Sequence, residues 1–113
     1  MASVDQTTQG GVTILRVRGD LTVTEVGAVE PAFKSVAAAP GARVVVNLEG
    51  VPQVTTPAIS LFVSTAVAAK GGGGRVVFGC PTKLVSDVLR RCHLDRVLYI
   101  AATEPEAIEM ARA

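Results

Sequence analysis

At 113 residues, 49% hydrophobic and 19% charged, the chain has the composition of one globular domain and not of a disordered segment. Eleven basic residues against ten acidic ones leave a formal charge of +1, so no overall field favours nucleic acid, a membrane surface or an acidic substrate. Cys80 and Cys92 are too few for a disulfide framework, and with the lone His93 they offer no metal-ligand spacing. The N-terminus lacks the layout of a signal peptide, and no apolar run approaches the roughly 18 residues of a membrane span. These features point to a soluble, cytoplasmic protein without membrane insertion.

Gly10-Gly11 supplies the positive φ angles of a tight hairpin, so Val4 to Thr8 is expected to pair antiparallel, as a polar edge strand, with Val12 to Val17. Thr22 and Glu25 have capping-box spacing ahead of Val26, Val29, Phe33 and Val36, which predicts a helix from about Val23 to Ala38. Pro31 falls inside it and either bends the helix or sits in the first turn of a regular part that begins near Glu30. Val44 to Leu48 is a β-branched run with little polar alternation, as in a strand covered by helices. Pro57 suits a first helical position, which makes Thr56 the expected N-cap of the next helix. Its apolar stripe is read as Ile59, Phe62, Val63, Ala66 and Val67, and Gly71 to Gly74 ends it as a connector.

Val76 to Phe78 is the next strand. Leu84, Val85, Val88, Leu89 and Cys92 then share one helical face, opposite Lys83, Ser86, Asp87, Arg90 and Arg91. Val97 to Ile100 reads as a last strand. Thr103, Pro105 and Glu106 open a final helix that runs toward Arg112. After the hairpin, strands and helices alternate. That order predicts an α/β fold, with a mixed, mainly parallel sheet of four or five strands packed with about four helices, in a single domain over residues 1–113.

No residue pattern builds a conventional active site. His93 has no triad context and is expected to end a helix or face solvent. The glycine run precedes a strand, whereas a phosphate-cradling loop follows one, so it reads as a connector. Arg90, Arg91 and Arg96, with Lys83 nearby, read as a solvated basic surface, and Cys80 and Cys92 as small core hydrophobes. The remaining candidate is Thr55-Thr56-Pro57, where a phosphoryl group on Thr56 would place about −1.5 to −2 charge at a helix N-terminus.

The segment VVVNLEGVPQVTTPAIS resembles the signature of STAS domains, the fold of bacterial anti-sigma-factor antagonists. There a strand leads through Asp-Leu-Ser-Gly-Val to Asp-Ser-Ser-Gly-Leu at a helix start. Asn47-Leu48-Glu49-Gly50-Val51 matches the first part, and Thr55-Thr56-Pro57-Ala58-Ile59 falls on the second. Upstream, Gly19-Asp20-Leu21-Thr22 stands at the family's Gly-Glu-Leu-Asp. Downstream, PTKLVSDVLRRCHLDRV resembles the helix and turn before the last strand, with His93 in place of glycine. Thr56 occupies the place of the phosphorylated serine, while Thr55 replaces the aspartate, Pro57 the second serine and Ala58 the glycine.

The resemblance implies a non-enzymatic antagonist without cofactor or metal. Its partner would be an anti-sigma factor with serine/threonine kinase activity, bound when the domain is unphosphorylated and released by phosphorylation of Thr56, with Thr55 and Ser60 as lesser acceptors. The implied contact surface is Asp20, Thr22, Thr55, Thr56, Pro57, Ala58 and Leu61, with no direct contact to nucleic acid. An alternative keeps the STAS fold as a non-switching scaffold or lipid-transport-complex subunit, in which Thr56 is only a helix N-cap. A third places a small ligand in the loops around Asp20 and Thr56. The sequence leaves the oligomeric state open.

Overall fold

Gly10 and Gly11, at φ of 56° and 81°, close the hairpin between β1 (Ser3–Gln9) and β2 (Val12–Arg18) in the computed structural model, which describes residues 2–113. The hairpin is antiparallel, and β1 is a polar, exposed edge as expected. β3 (Arg43–Gly50), β4 (Arg75–Gly79) and β5 (Tyr99–Ala101) add in parallel, giving the order β1-β2-β3-β4-β5. β5 is shorter than the sequence suggests. Val97 and Leu98 leave a 3-10 turn, Leu94–Arg96, and Leu98 N donates to the Leu94 carbonyl (2.8 Å), so neither joins the strand.

Crossovers between neighbouring parallel strands keep one hand, so an order that never reverses stacks them on one face. α1 (Val26–Ala37), α2 (Thr56–Gly71) and α3 (Lys83–Arg91) accordingly bury their apolar residues against Leu15, Val17, Val44, Val46, Leu48, Val76 and Phe78. Phe62 centres this layer: its ring stacks on Phe33 at 6.0 Å between centroids and tilts against Phe78 at 4.9 Å. α4 (Glu104–Arg112) covers the other face, where Ala107, Ile108 and Ala111 meet Val12, Ile14, Val45 and Val77. Thr103 caps α4 as its spacing predicts, accepting from Glu106 N (3.3 Å). At the far end of α4, Arg75 donates to the Met110 carbonyl (2.9 Å), and Arg43 to those of Ala111 and Ala113 (3.2 and 3.1 Å).

Three helices depart from the pattern read from the sequence. α1 starts at Val26, not Val23, because the capping box does not close: the Thr22 hydroxyl pairs with that of Thr24 (3.2 Å), and the Glu25 carboxylate accepts from Ala2 N (2.6 Å). Pro31 is therefore interior to the helix. In α2 the buried side chains are Ala58, Leu61, Phe62, Thr65 and Ala69, a stripe rotated about 100° from the expected one. Val67, expected inside, is 63% exposed. The helix is apolar nearly all round, so packing selects its face, and Thr65 can be buried because its hydroxyl donates to the Leu61 carbonyl (2.7 Å). α3 buries Val85 and Leu89 and leaves Leu84 on the surface. Cys92, expected in the core, is exposed because the helix has ended before it. His93 takes a left-handed turn there, at φ 59°, and is exposed, as expected of a helix-ending residue.

Candidate functional site

The loops that follow β2, β3 and β4 all lie at the carboxyl ends of parallel strands, where open α/β sheets gather their functional groups. Gly19, at φ 94°, turns the chain out of β2, and its N–H donates to the Gly50 carbonyl (2.9 Å). Gly50 itself is required by close approach, since a Cβ there would lie 2.9 Å from the Val17 carbonyl oxygen. Beyond it, Leu21 N donates to the Gln53 carbonyl and Thr55 N to the Leu21 carbonyl (both 3.1 Å), forming a one-residue parallel bridge between Leu21 and Val54. The Thr55 hydroxyl adds a second bond to the Leu21 carbonyl (2.8 Å). Leu21, Val51 and Val54 are buried beneath. Thr82, the N-cap of α3, reaches across to the Val51 carbonyl (3.3 Å). Three loops are thus joined into one platform.

On this platform Thr55, not Thr56, is the N-cap residue of α2. Its extended backbone fits that position, but its hydroxyl is engaged with Leu21 and caps no amide. Thr56 is the first helical residue and Pro57 the second, and the Thr56 side chain is exposed with no hydrogen-bond partner among the described residues. The N-cap role expected of Thr56 therefore passes to its neighbour. Thr22 stands half-buried in the first loop, and Asp20 Oδ2 accepts a long bond from Gln53 Nε2 (3.4 Å) while Asp20 Oδ1 is buried without a partner among the described residues. The bridge between the two loops sets Asp20 and Thr22 alongside Thr55 and Thr56, with Pro57 half-buried beside them.

Ala58 and Leu61 do not belong to this surface. Ala58 is fully buried and Leu61 is 5% exposed, because the rotation of α2 turns both into the core. Ser60 and Ser64 take the exposed positions along the helix after Thr56. Val23, 71% exposed in the first loop, and Gln53 in the second also face outward; the sequence assigned Val23 to a helix and gave Gln53 no role. The basic residues separate as well, since Arg90 pairs with Asp87 on α3 while Arg96 lies beyond the helix.

A second polar cluster lies on the α4 side of the same strand ends. Arg16 on β2 and Asn47 on β3 both donate to Glu104 in the first turn of α4, each at 2.9 Å. The hydrogen bond from Asn47 foremost holds the Glu104 carboxyl below the usual carboxylate range; burial opposes it, and the hydrogen bond and charge of Arg16 add to the lowering. Asn47 Oδ1 also accepts from Glu49 N (2.9 Å). Cys80 borders this cluster at φ 55°, half-buried, and burial first, then the charges of Glu49 and Glu104, push its thiol up. The sequence shows an arginine inside an apolar strand, but nothing local pairs it with a residue eighty-eight positions away.

Sheet order, helix placement and the joined loops define an α/β domain with a platform of three loops at the carboxyl ends of its parallel strands. The chain belongs to the STAS domain family, whose model matches residues 3–107. It is similar in structure to an anti-sigma factor antagonist from Mycobacterium paratuberculosis, with a TM-score of 0.89 at 16% identity over 100% of this chain and 96% of that one. An anti-sigma-factor antagonist (STAS) domain protein from Planctomyces limnophilus gives 0.86 at 23% identity over 97% and 98%. The phosphorylated form of SpoIIAA, a Bacillus cell fate determinant, gives 0.72 at 16% identity over 96% and 98%. No curated protein sequence matches the chain. Among the described residues, no helix is long and apolar enough to cross a membrane.

Proposed function

We propose that the domain is an anti-sigma-factor antagonist that docks an anti-sigma factor with kinase activity on the platform of Asp20, Thr22, Thr55, Thr56 and Pro57, extended along α2 by Ser60 and Ser64. Thr56 is the phospho-acceptor: the phosphoryl group passes from ATP to Thr56 Oγ1, and ADP and the hydroxyl proton leave. The observation that carries this reading is the contrast between two adjacent hydroxyls. That of Thr55 is bound to the Leu21 carbonyl, whereas that of Thr56 is exposed and without a partner among the described residues. A kinase needs the free one. The reading of Thr56 as only a helix cap loses its support here, because Thr55 holds the cap position.

A phosphate on Thr56 is tolerated within the domain, since the first turn of α2 carries no acidic residue and presents its amide end to the added charge. The same charge burdens an interface, which must desolvate it or set it against its own carboxylates. The test is incubation with candidate anti-sigma-factor kinases and ATP, with the phosphosite mapped by mass spectrometry and binding followed by calorimetry. Modification at Thr56 is expected, and Thr56→Glu is expected to weaken kinase binding by about 2 kcal/mol, roughly thirtyfold. Equal binding by wild type and Thr56→Glu would overturn the switch.

A further inference from the structure

Away from Thr56, the last turns of α2, the start of β4 and residues 95–99 enclose a groove of about 610 Å³. Lys70 on its rim lies fourteen residues after Thr56 along α2, about 21 Å at the helical rise, so this groove and the Thr55–Thr56 platform are separate surfaces. Three apolar side chains gather in it: Val67, Val97 and Tyr99 are exposed by 63%, 64% and 48%. Single exposed valines are common; here three apolar side chains share one groove, a small apolar surface left open to a partner.

The rim is basic. Arg75 lies 4.5 Å over the Tyr99 ring, fixed by its bond to the Met110 carbonyl, and Lys70 and Arg96 have no carboxylate partner among the described residues. Asp95 is the one acid along the groove among the described residues. The edge of the sheet is also incomplete there. β3 pairs with β4 from Arg75 onward, but β5 joins only at Val77, so Arg75 and Val76 have no strand neighbour on the groove side among the described residues.

We propose that this groove docks an acidic segment of a second protein, anchored by one or two apolar side chains, while the Thr55–Thr56 platform stays free for its own partner. The apolar anchors fill the space between Val67, Val97 and Tyr99, and flanking carboxylates pair with Lys70 and Arg96. A second copy of this chain, set on the groove about a two-fold axis, would press these cations against one another. Charge complementarity therefore selects a foreign acidic segment over self-association.

Selection of a phage-displayed dodecapeptide library on the full chain tests the proposal, followed by synthesis of the leading peptide and its titration by amide NMR. Enriched peptides are expected to combine Asp or Glu with branched or aromatic residues and to shift residues 63–76 and 95–99, leaving residues 53–56 unmoved. Lys70→Glu with Arg96→Glu is expected to weaken the peptide about tenfold or more, and Lys70→Gln with Arg96→Gln to weaken it less, both on a preserved fold. Failure to enrich any peptide would overturn the proposal, as would enrichment of basic or uncharged peptides or shifts centred on residues 19–25 and 53–56. A concentration-dependent dimer abolished by the same substitutions would instead assign the groove to a second copy.

Discussion

Two threonines that sequence reasoning ranked in one order do opposite things. Thr55 donates its hydroxyl to a carbonyl inside the loop bridge, and Thr56 donates to no group among the described residues. Thr55→Val is therefore expected to cost about 1 kcal/mol, the net worth of one part-buried hydrogen bond, whereas Thr56→Val should stay within about 0.5 kcal/mol of wild type. Urea unfolding of the two variants checks this, and a larger loss at Thr56 would contradict the geometry. The difference was not legible in the sequence because Pro57 fits either of the first two helical positions, and the choice between them depends on where Leu21 lies.

α2 shows where periodicity stops being informative. Its valines, alanines, leucine and phenylalanine satisfy more than one apolar stripe, and the interlock of Phe62 with Phe33 and Phe78 decides among them. Leu61→Ala is expected to cost about 2 to 4 kcal/mol, as for a leucine removed from a packed core, and Val67→Ser less than about 0.5 kcal/mol. Thermal or chemical denaturation separates the two positions; the reverse ranking would restore the stripe read from the sequence. β2, β3, β4 and α4 were legible because their signals are local: β-branched runs bounded by glycine, proline or charge, and a capped first turn with proline. α1 was legible in its apolar face but not in its start, since Glu25 turns to Ala2 and abandons its cap.

For the whole molecule, the Glu104 cluster ties the one helix on its face to two central strands. Its carboxyl is lowered on folding, so its contribution is fully present above the ordinary carboxylate range and is lost as pH falls through the lowered folded value. Glu104→Gln is expected to be less stable than wild type by about 1 kcal/mol at neutral pH, modest because Arg16 and Glu104 are partly solvated. The gap should shrink as the pH drops into the acid range. Unfolding curves across that range check the sign, and a gap that widened toward acid would reject it. Architecture was legible at this scale because strand–helix alternation dictates layering, while the contact between β2 and α4 is a product of folding that no local pattern encodes.

The same architecture puts the protein's optical reporter in an unusual place. The chain has no tryptophan and one tyrosine, and that tyrosine stands at the sheet edge beneath Arg75, away from Thr56. The intrinsic fluorescence of unlabelled protein therefore reports the edge groove and is blind to the threonine platform. An occupant of the groove that displaces or covers Arg75 would change the Tyr99 emission, while a partner at Thr56 that itself carries no tyrosine or tryptophan would leave it unchanged. The groove can therefore be titrated without any label while the threonine platform is occupied.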